Sequence, residues 1–546
     1  MSLQVSNREE DVLLKQKNVL NPLVLDKYRF AGQVTQSSLK YLTSLINDSY
    51  HLGNHTPYTA AELCILGDSY IQAAVNEMSP KDVKEKGIAQ PVTIDVNDLV
   101  EGYSPEFDDK TNLSFQPGDI VTINLGCQVD GYTSRLAHTL VIYPVGPQPA
   151  GPLLGGPADA ICASHIATET VIALLVCSLF PERLPRSVAP VGSQVTGSLI
   201  REVVDSIAET FHCTIVPGSK VRRIRRFLAG QAEGVVAERD FKGVVWSEAD
   251  QELNLLRKSG KFDESSSQLV KYRNGSVSEA DDNASTVPKD EFVVIPGEVY
   301  TIDIRMAPTG AAGLVTLEVL DEYSGKNCAE GEMNPKPRVF LRDVAMTYQL
   351  RLKSARKLLS NIDRRHPVYP FKLSETSSHF PLDISDTETL PDQVKSVNDD
   401  IKLARLGMSE LTNQRLTVAK PIWAARFIPL RTVLKATSST GIHGIDAQNP
   451  TLPGLELPLP KLGITALKLK SMLKRSSKIP VARELSTVVL DNVENRVVRL
   501  SGGDCNPSWV HSNYELQGDM AQGVNDLIQL CQNGVNIIQC QPLERL

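Results

Sequence analysis

The chain has 546 residues, with 57 Lys and Arg against 64 Asp and Glu, a formal charge of −7. Hydrophobic residues make up 41%, the apolar share of a folded chain. This excludes wholesale disorder, and the acidic balance excludes a surface that is cationic throughout.

Residues 1–24 read as an N-terminal arm; the start, MSLQVSNREEDVLLKQK, lacks the basic and apolar segments of a signal peptide. Thr59-Ala60-Ala61-Glu62 is a capping box, Thr at N-cap and Glu at N3, and predicts a helix over Leu63 to Met78. Short β-rich runs follow at 92–94, 119–126 and 137–145, separated by Gly, Pro and Asp. Helices are predicted at 157–176 and 194–211, the second with Val195, Leu199, Val203, Ile207 and Phe211 along one face. The longest apolar run, Val171 to Phe180, is shorter than the roughly 18 residues that span a bilayer, so no membrane contact is expected. Nine cysteines, widely spread and without a C-x-x-C pair, support neither a disulfide framework nor a cysteine zinc site, and point to cytosol or nucleus. Interleaved strands and helices argue a mixed α/β or α+β fold class.

An internal echo organises the chain. Pro117-Gly118-Asp119-Ile120-Val121-Thr122-Ile123-Asn124-Leu125 returns as Pro296-Gly297-Glu298-Val299-Tyr300-Thr301-Ile302-Asp303-Ile304. Each copy is a Pro-Gly turn, an acid and a strand, and alternation places Thr122 and Asn124 on one face as it places Thr301 and Asp303. Asn124 and Asp303 are therefore equivalent positions in a duplicated half-domain. The duplicated domain takes 25–335 and 414–510. Polar, Ser-rich 258–290 and Pro/Leu-rich 429–480 are insertion loops. Residues 336–413 form a helical insertion, with 338–362 helical and 372–400 acidic and Ser/Thr-rich, and 511–546 form a tail with a helix around Val524 to Cys531.

Three basic clusters stand out on this acidic chain. Lys220, Arg222, Arg223, Arg225 and Arg226 fall within seven residues. A second group holds Lys468, Lys470, Lys474, Arg475 and Lys478, and a third Arg351, Lys353, Arg356, Lys357, Arg364 and Arg365. One such run is ordinarily a solvated face. Three of them point to phosphate binding by counterion release, without base reading, which suits rRNA. KVRRIRR also reads as a nuclear-localisation signal. His51 and His55 have i, i+4 spacing but sit among Gly, Asn and Pro, which argues against a shared metal, and His138 reads as a core or rim histidine.

The string PGDIVTINLGCQVDGYTSRLAHTLVI, followed far downstream by PGEVYTIDI and preceded by VTIDVNDLVEGYSP, resembles the type 2 methionine aminopeptidases. That resemblance covers most of residues 25–510 and implies an α+β, pita-bread fold of two pseudo-twofold-related halves with large insertions. YQLRLKSARKLLSNIDRRHPVYPF is more similar to the proliferation-associated, receptor-binding branch, and the layout of insertions to the fungal shuttling factors of ribosomal export.

The peptidases hold two divalent ions with carboxylates and a histidine, and so generate a hydroxide at neutral pH. Carried across, their first ligand falls on Asn124, the second on Arg135, the histidine on Gly230, the fourth on Asp303, and the last on Leu485 or, one residue away, Glu484. The substrate-side histidine falls on Gly102. A guanidinium cannot ligate a cation, so Arg135 is expected to pair with Asp303 in a vacated pocket; the alternative is one ion on Asp303 and Glu484. The resemblance thus implies a pseudo-enzyme with no metal and no cofactor. It would bind the pre-60S ribosomal particle near the nascent-chain exit, through rRNA and ribosomal proteins, and shuttle between nucleus and cytoplasm. Nucleoporin repeats and a small basic protein are implied as further partners. The rivals are a working metallo-aminopeptidase that removes N-terminal methionine, and a module that binds peptides without cutting them.

Overall fold

The computed structural model describes residues 16–543 apart from 79–82, 84, 110–112, 147–150, 191, 228–241, 249, 252–289, 310–312, 321–334, 385, 387, 430–475, 504–508, 518 and 533–535. Asn21 starts helix α1 (Pro22–Ile46): its side chain accepts from the Val24 N–H at 2.9 Å, and Pro22 sits where a missing N–H costs nothing. Helix α2 (Ala60–Met78) opens at the expected capping box, with the Thr59 N–H and hydroxyl both donating to the Glu62 carboxylate, at 2.8 and 2.7 Å.

Strands β1 (Lys86–Val96) and β2 (Leu99–Glu101) lead to β3 (Ile120–Val129) and β4 (Tyr132–Val141). Asp130 and Gly131 join the last two, both at positive φ (55° and 80°), the turn whose twist suits a two-residue hairpin. Helices α3 (Gly156–Leu179) and α4 (Gly197–Thr210) follow, then β5 (Cys213–Ile215), β6 (Lys220–Ile224), β7 (Gly243–Val245), β8 (Val299–Pro308) and β9 (Gly313–Leu320). Strand β10 (Phe340–Arg342), helices α5 (Lys353–Arg365) and α6 (Leu390–Asn413) and strand β11 (Thr417–Ala419) come next. The chain then gives β12 (Ile422–Pro429), β13 (Ser477–Lys478), β14 (Ala482–Asp491), β15 (Arg496–Arg499), α7 (Asp519–Gln532) and β16 (Ile537–Gln539).

The main sheet runs β1-β3-β4-β14-β8-β6-β7, with β15 and β16 beyond β14 and β5 beside β8. Both echo strands lie in it, β3 paired with β4 and β8 with β14, and these two pairs meet where Ala137 faces Leu485. Alternation separates the faces. Val121, Ile123, Leu125 and Cys127 pack in one core with α1 and α2, while Tyr300, Ile302, Ile304 and Met306 pack in another with α3 and α4. Helix α3 is long and apolar enough to cross a membrane, but 78% of its most apolar window is buried within this core. The opposite face carries Asn124 and Asp303. It is flanked by a smaller sheet in which β12 pairs with β2, β9 and β13.

Strands β10 and β11 pair with each other and bracket α5 and α6, which close their own core around Leu358, Ile362, Val397, Ile401 and Leu411. The helix expected over 338–362 starts only at Lys353, because Phe340 to Arg342 pair with β11 and Phe340 also exchanges backbone hydrogen bonds with Phe371. The acidic stretch 372–400 contains the first half of α6. Nearly all of 258–290 and 429–480 lies outside the described residues.

Thr59→Ala should lower stability by about 1 kcal/mol, the usual worth of an N-cap, read as a shift in urea midpoint at unchanged slope. No shift would mean that the α2 terminus is held by packing alone.

Candidate functional site

The polar face of the main sheet gathers charged residues from five strands and one connecting segment. Asp303 projects from the middle of β8 and is 1% exposed. Leu485 of β14 lies directly opposite it, so Arg483, two residues away, shares its face and reaches it diagonally. Arg483 holds Asp303 through two parallel bonds, from Nε and Nη2, each 2.8 Å. Arg305, two residues along β8, adds a bond from Nη2 at 2.9 Å and a second from Nε at 3.4 Å. Arg305 Nη2 also donates to Glu101 at 2.8 Å, at the end of β2. Burial by itself would push the Asp303 carboxyl up, but Arg305 and Arg483 outweigh it and hold the group well below the carboxylate range. Glu101 behaves alike: burial is overcome by Arg483, Arg305, Lys420 and Arg135.

Three more cations complete the cluster. Lys220 stands across the β6–β8 pairing from Asp303, and burial lowers its amine to about 8 although Asp303 opposes this. Lys420, between β11 and β12, donates to Gln90 at 3.2 Å and is lowered to about 8 by the same cause. Arg135 extends over Gly126, its cross-strand neighbour, where an added Cβ would come within 3.0 Å of the arginine Cγ. Its Nε and Nη2 are buried and have no hydrogen-bond partner among the described residues.

The structure therefore corrects one expectation: Asp303 pairs with Arg483 and Arg305, not with Arg135. The reason is strand order, since β14 lies between β4 and β8, and Arg135 would have to span two interstrand spacings, roughly 10 Å. It corrects a second. Glu484 cannot share an ion with Asp303, because alternation turns it to the opposite face, where its carboxylate meets His138 Nδ1 at 3.0 Å and the Thr139 N–H at 3.3 Å. Asn124 is fully buried, donates to Thr93 at 3.3 Å, and leaves its carbonyl oxygen without a partner among the described residues. Leu485 is apolar and buried. Gly102 has φ 104°, and a Cβ there would lie 2.7 Å from the Pro421 carbonyl oxygen, so no histidine fits. Gly230 lies outside the described residues.

Divalent ions do not fit this donor set. Asp303 is saturated by guanidinium groups, Glu101 is bonded to one of them, and of the other positions on which the family's ligands fall, Asn124 is an amide, Leu485 aliphatic and Arg135 cationic. No cluster of three or more His, Cys, Asp or Glu suited to a metal occurs among the described residues. His51 instead stacks on Tyr143, ring centroids 3.5 Å apart. Sequence reasoning missed Glu101, Arg305, Arg483 and Lys420. Arg305 had a legible signal: at two residues from Asp303 in a strand, it must share its face.

The first basic cluster is largely built into the fold. KVRRI is strand β6, with Lys220 facing the polar cluster; Arg223 pairs with Glu298 at 3.0 Å and Arg226 with Asp130 at 2.5 Å. Arg222 and Arg225 are partly exposed. Lys468, Lys470, Lys474 and Arg475 lie outside the described residues. The third cluster does form an exposed basic surface, with Arg351, Lys353, Arg356, Lys357, Arg364 and Arg365 all exposed on and just before α5.

The chain is 51% identical over 561 residues to a protein of Debaryomyces hansenii named probable metalloprotease ARX1, covering 100% of this chain and 98% of that protein. A Saccharomyces cerevisiae protein of the same name is 46% identical over 590 residues, with 100% and 97% covered. The chain belongs to the Arx1 family. No family model matches it. A solved structure, described as that of a thermophilic Arx1, aligns with a TM-score of 0.55 at 15% identity, covering 93% of this chain and 98% of the other. The chain thus has the pita-bread fold expected from its sequence.

Asp303→Ala should destabilise the protein by about 3–5 kcal/mol, because it strands Arg483 in the interior; a thermal melt within a degree of the parent would refute the bidentate pair. Lys420 gives a pH signature. Its folded pKa of about 8 lies below its ordinary value of 10.5, so between those pH values the unfolded chain binds more protons and the lysine's contribution to stability rises with pH. Lys420→Met should be more stable than the parent at pH 7, with the gap closing as pH rises from 8 to 10.5. A pH-independent gap would contradict a buried charge.

Proposed function

We propose that this protein is a non-peptidase scaffold that binds the pre-60S ribosomal particle near the nascent-chain exit and travels with it between nucleus and cytoplasm. The observation that carries the loss of chemistry is the pair of guanidiniums on Asp303. They supply fixed positive charge where the aminopeptidase-like resemblance calls for divalent ions, and they occupy both oxygens of Asp303.

The ribosome reading is supported by the helical insertion. Helix α5 buries Ala355, Leu358 and Ile362 and presents lysines and arginines outward, a form suited to phosphate contact independent of base sequence. Helix α6 exposes Leu403 and Leu406, 75% and 63% accessible and one turn apart, an apolar complement for a ribosomal protein. An internal strand in KVRRIRR shifts the phosphate-binding role from that run to α5. The family resemblance adds nucleoporin repeats and a small basic protein as partners.

A second reading is favoured by the relatives' own name, probable metalloprotease. Metal content of the purified protein after dialysis against micromolar cobalt or manganese, with cleavage of a Met-Ala-Ser peptide, separates the two. Under a tenth of an equivalent with no cleavage is expected; near-stoichiometric metal with turnover would overturn the proposal. For the ribosome interface, reversing Lys353, Arg356 and Lys357 to Glu should weaken co-sedimentation with large subunits. It should also lower the salt slope by roughly one for each phosphate that is no longer neutralised. Unchanged binding would remove α5 from the interface.

A further inference from the structure

We infer that the converted pocket is a receptor for a carboxylate group, taken from a peptide C-terminus or an acidic side chain, with Arg135 as its principal contact. The inference rests on the non-peptidase reading of the pocket and assigns it a ligand.

The first observation is a charge imbalance. Arg135, Lys220, Arg305, Lys420 and Arg483 converge here, and the carboxylates acting on them are Glu101 and Asp303, with Asp95 beside Arg483 and Glu101. Arg305 and Arg483 are committed to Asp303 and Glu101. Arg135 and Lys420 are held by no carboxylate within hydrogen-bond distance among the described residues, and Lys420 has only the neutral Gln90 amide. Positive charge is therefore left over in a poorly solvated place, where an anion gains most.

The second observation is geometric. The Nε–Nη2 edge of a guanidinium presents two parallel N–H groups that match the two oxygens of a carboxylate. Arg483 uses that edge on Asp303, 2.8 Å to each oxygen. In Arg135 the same two nitrogens are without a partner, and Nη1 of Arg483, itself 1% exposed, is also without a hydrogen bond among the described residues. A buried donor pair left unmade costs several times what a satisfied one contributes, so the site favours whatever fills it. Arg135 as a whole is partly exposed, as are Lys220, Lys420 and Glu101, so the cluster reaches solvent. Gly126 lets the arginine stem lie close against the sheet, and the unpartnered oxygen of the neutral Asn124 faces the same side.

The pocket would thus invert the polarity of the aminopeptidase site that it resembles. Where metal ions and carboxylates suit a substrate's amino end, this cluster repels an ammonium and attracts a carboxylate. Phosphate shares the charge but offers tetrahedral oxygens, whereas the two parallel N–H groups of the Arg135 edge match the planar pair of a carboxylate.

The test is titration calorimetry on the full-length protein at low ionic strength, in chelator, with N-acetyl-trialanine as the free acid, the same peptide as its C-terminal amide, and inorganic phosphate. The free acid should bind about tenfold or more tightly than the amide, and Arg135→Leu should lose a similar factor, the scale of one charge-assisted pair. Lys420→Met, which removes a neighbouring charge without touching the fork, should weaken the acid severalfold, and melting curves establish that both variants are folded. Equal binding of acid and amide, acid binding unchanged in both variants, or no binding at all would each overturn the inference. Phosphate binding without peptide-acid binding would overturn the carboxylate assignment. Because chelator is present throughout, a metal-dependent peptidase revealed by the cleavage assay would fail the functional reading separately from this one.

Discussion

Two guanidiniums closing on one buried carboxylate set the terms for the centre of this molecule. Asp303 could not remain ionised at 1% exposure without them. Arg483 and Arg305 could not be buried without Asp303 and Glu101. The set is self-consistent only when β8 and β14 pair in the observed register, with Leu485 opposite Asp303. A slip of one residue would send Arg483 into the apolar layer against α3 and bring Glu484 to the polar face. Buried ion pairs contribute little net stability once desolvation is counted. Their effect here is on alternatives, since any register of these two strands shifted by an odd number of residues leaves a charge in the core.

The parts of the fold legible in the sequence were those governed by local chemistry. The Pro-Gly-acid-strand echo located β3 and β8 and placed Asn124 and Asp303 correctly as equivalents, because strand alternation is a rule of the backbone. The capping box located the start of α2 for the same reason. Asp303's partners were not legible in the same way. Arg305 could have been inferred from its spacing, but Arg483 is 180 residues away, and only strand order decides that it, and not Arg135, reaches the carboxylate. Searching for metal-ligand positions also drew notice to Leu485 and Glu484 and away from the arginine just before them.

The burial of the first basic run has a similar origin. Five cations in seven residues look like a solvated stripe, yet β6 is an inner strand whose side chains alternate between faces. The strand and the turn after it found carboxylates from distant segments: Glu298 for Arg223, Asp130 for Arg226 and the polar cluster for Lys220. Composition cannot reveal this, because acids scattered over the chain become neighbours only after folding. Helix α5 keeps its cations outward because its apolar residues recur at helical spacing and claim the inward side. Helix α6 falls inside the expected helical insertion, but its bounds were not legible because its acidic, Ser/Thr-rich start masks an apolar stripe as sparse as Val397, Ile401, Met408 and Leu411.

Gly102 carries a consequence for how this chain can change over time. Its left-handed backbone and the Pro421 carbonyl 2.7 Å from where a Cβ would stand mean that no side chain can be installed there until the start of β12 has moved away. The displacement of β12 would in turn disturb its pairing with β2, and so Glu101 and the arginine it holds. Substitutions arriving one at a time would meet a steric penalty before any gain in chemistry. The glycine is thus held in place by the close approach of two pieces of main chain, which no selection on side-chain identity at the pocket itself can relax.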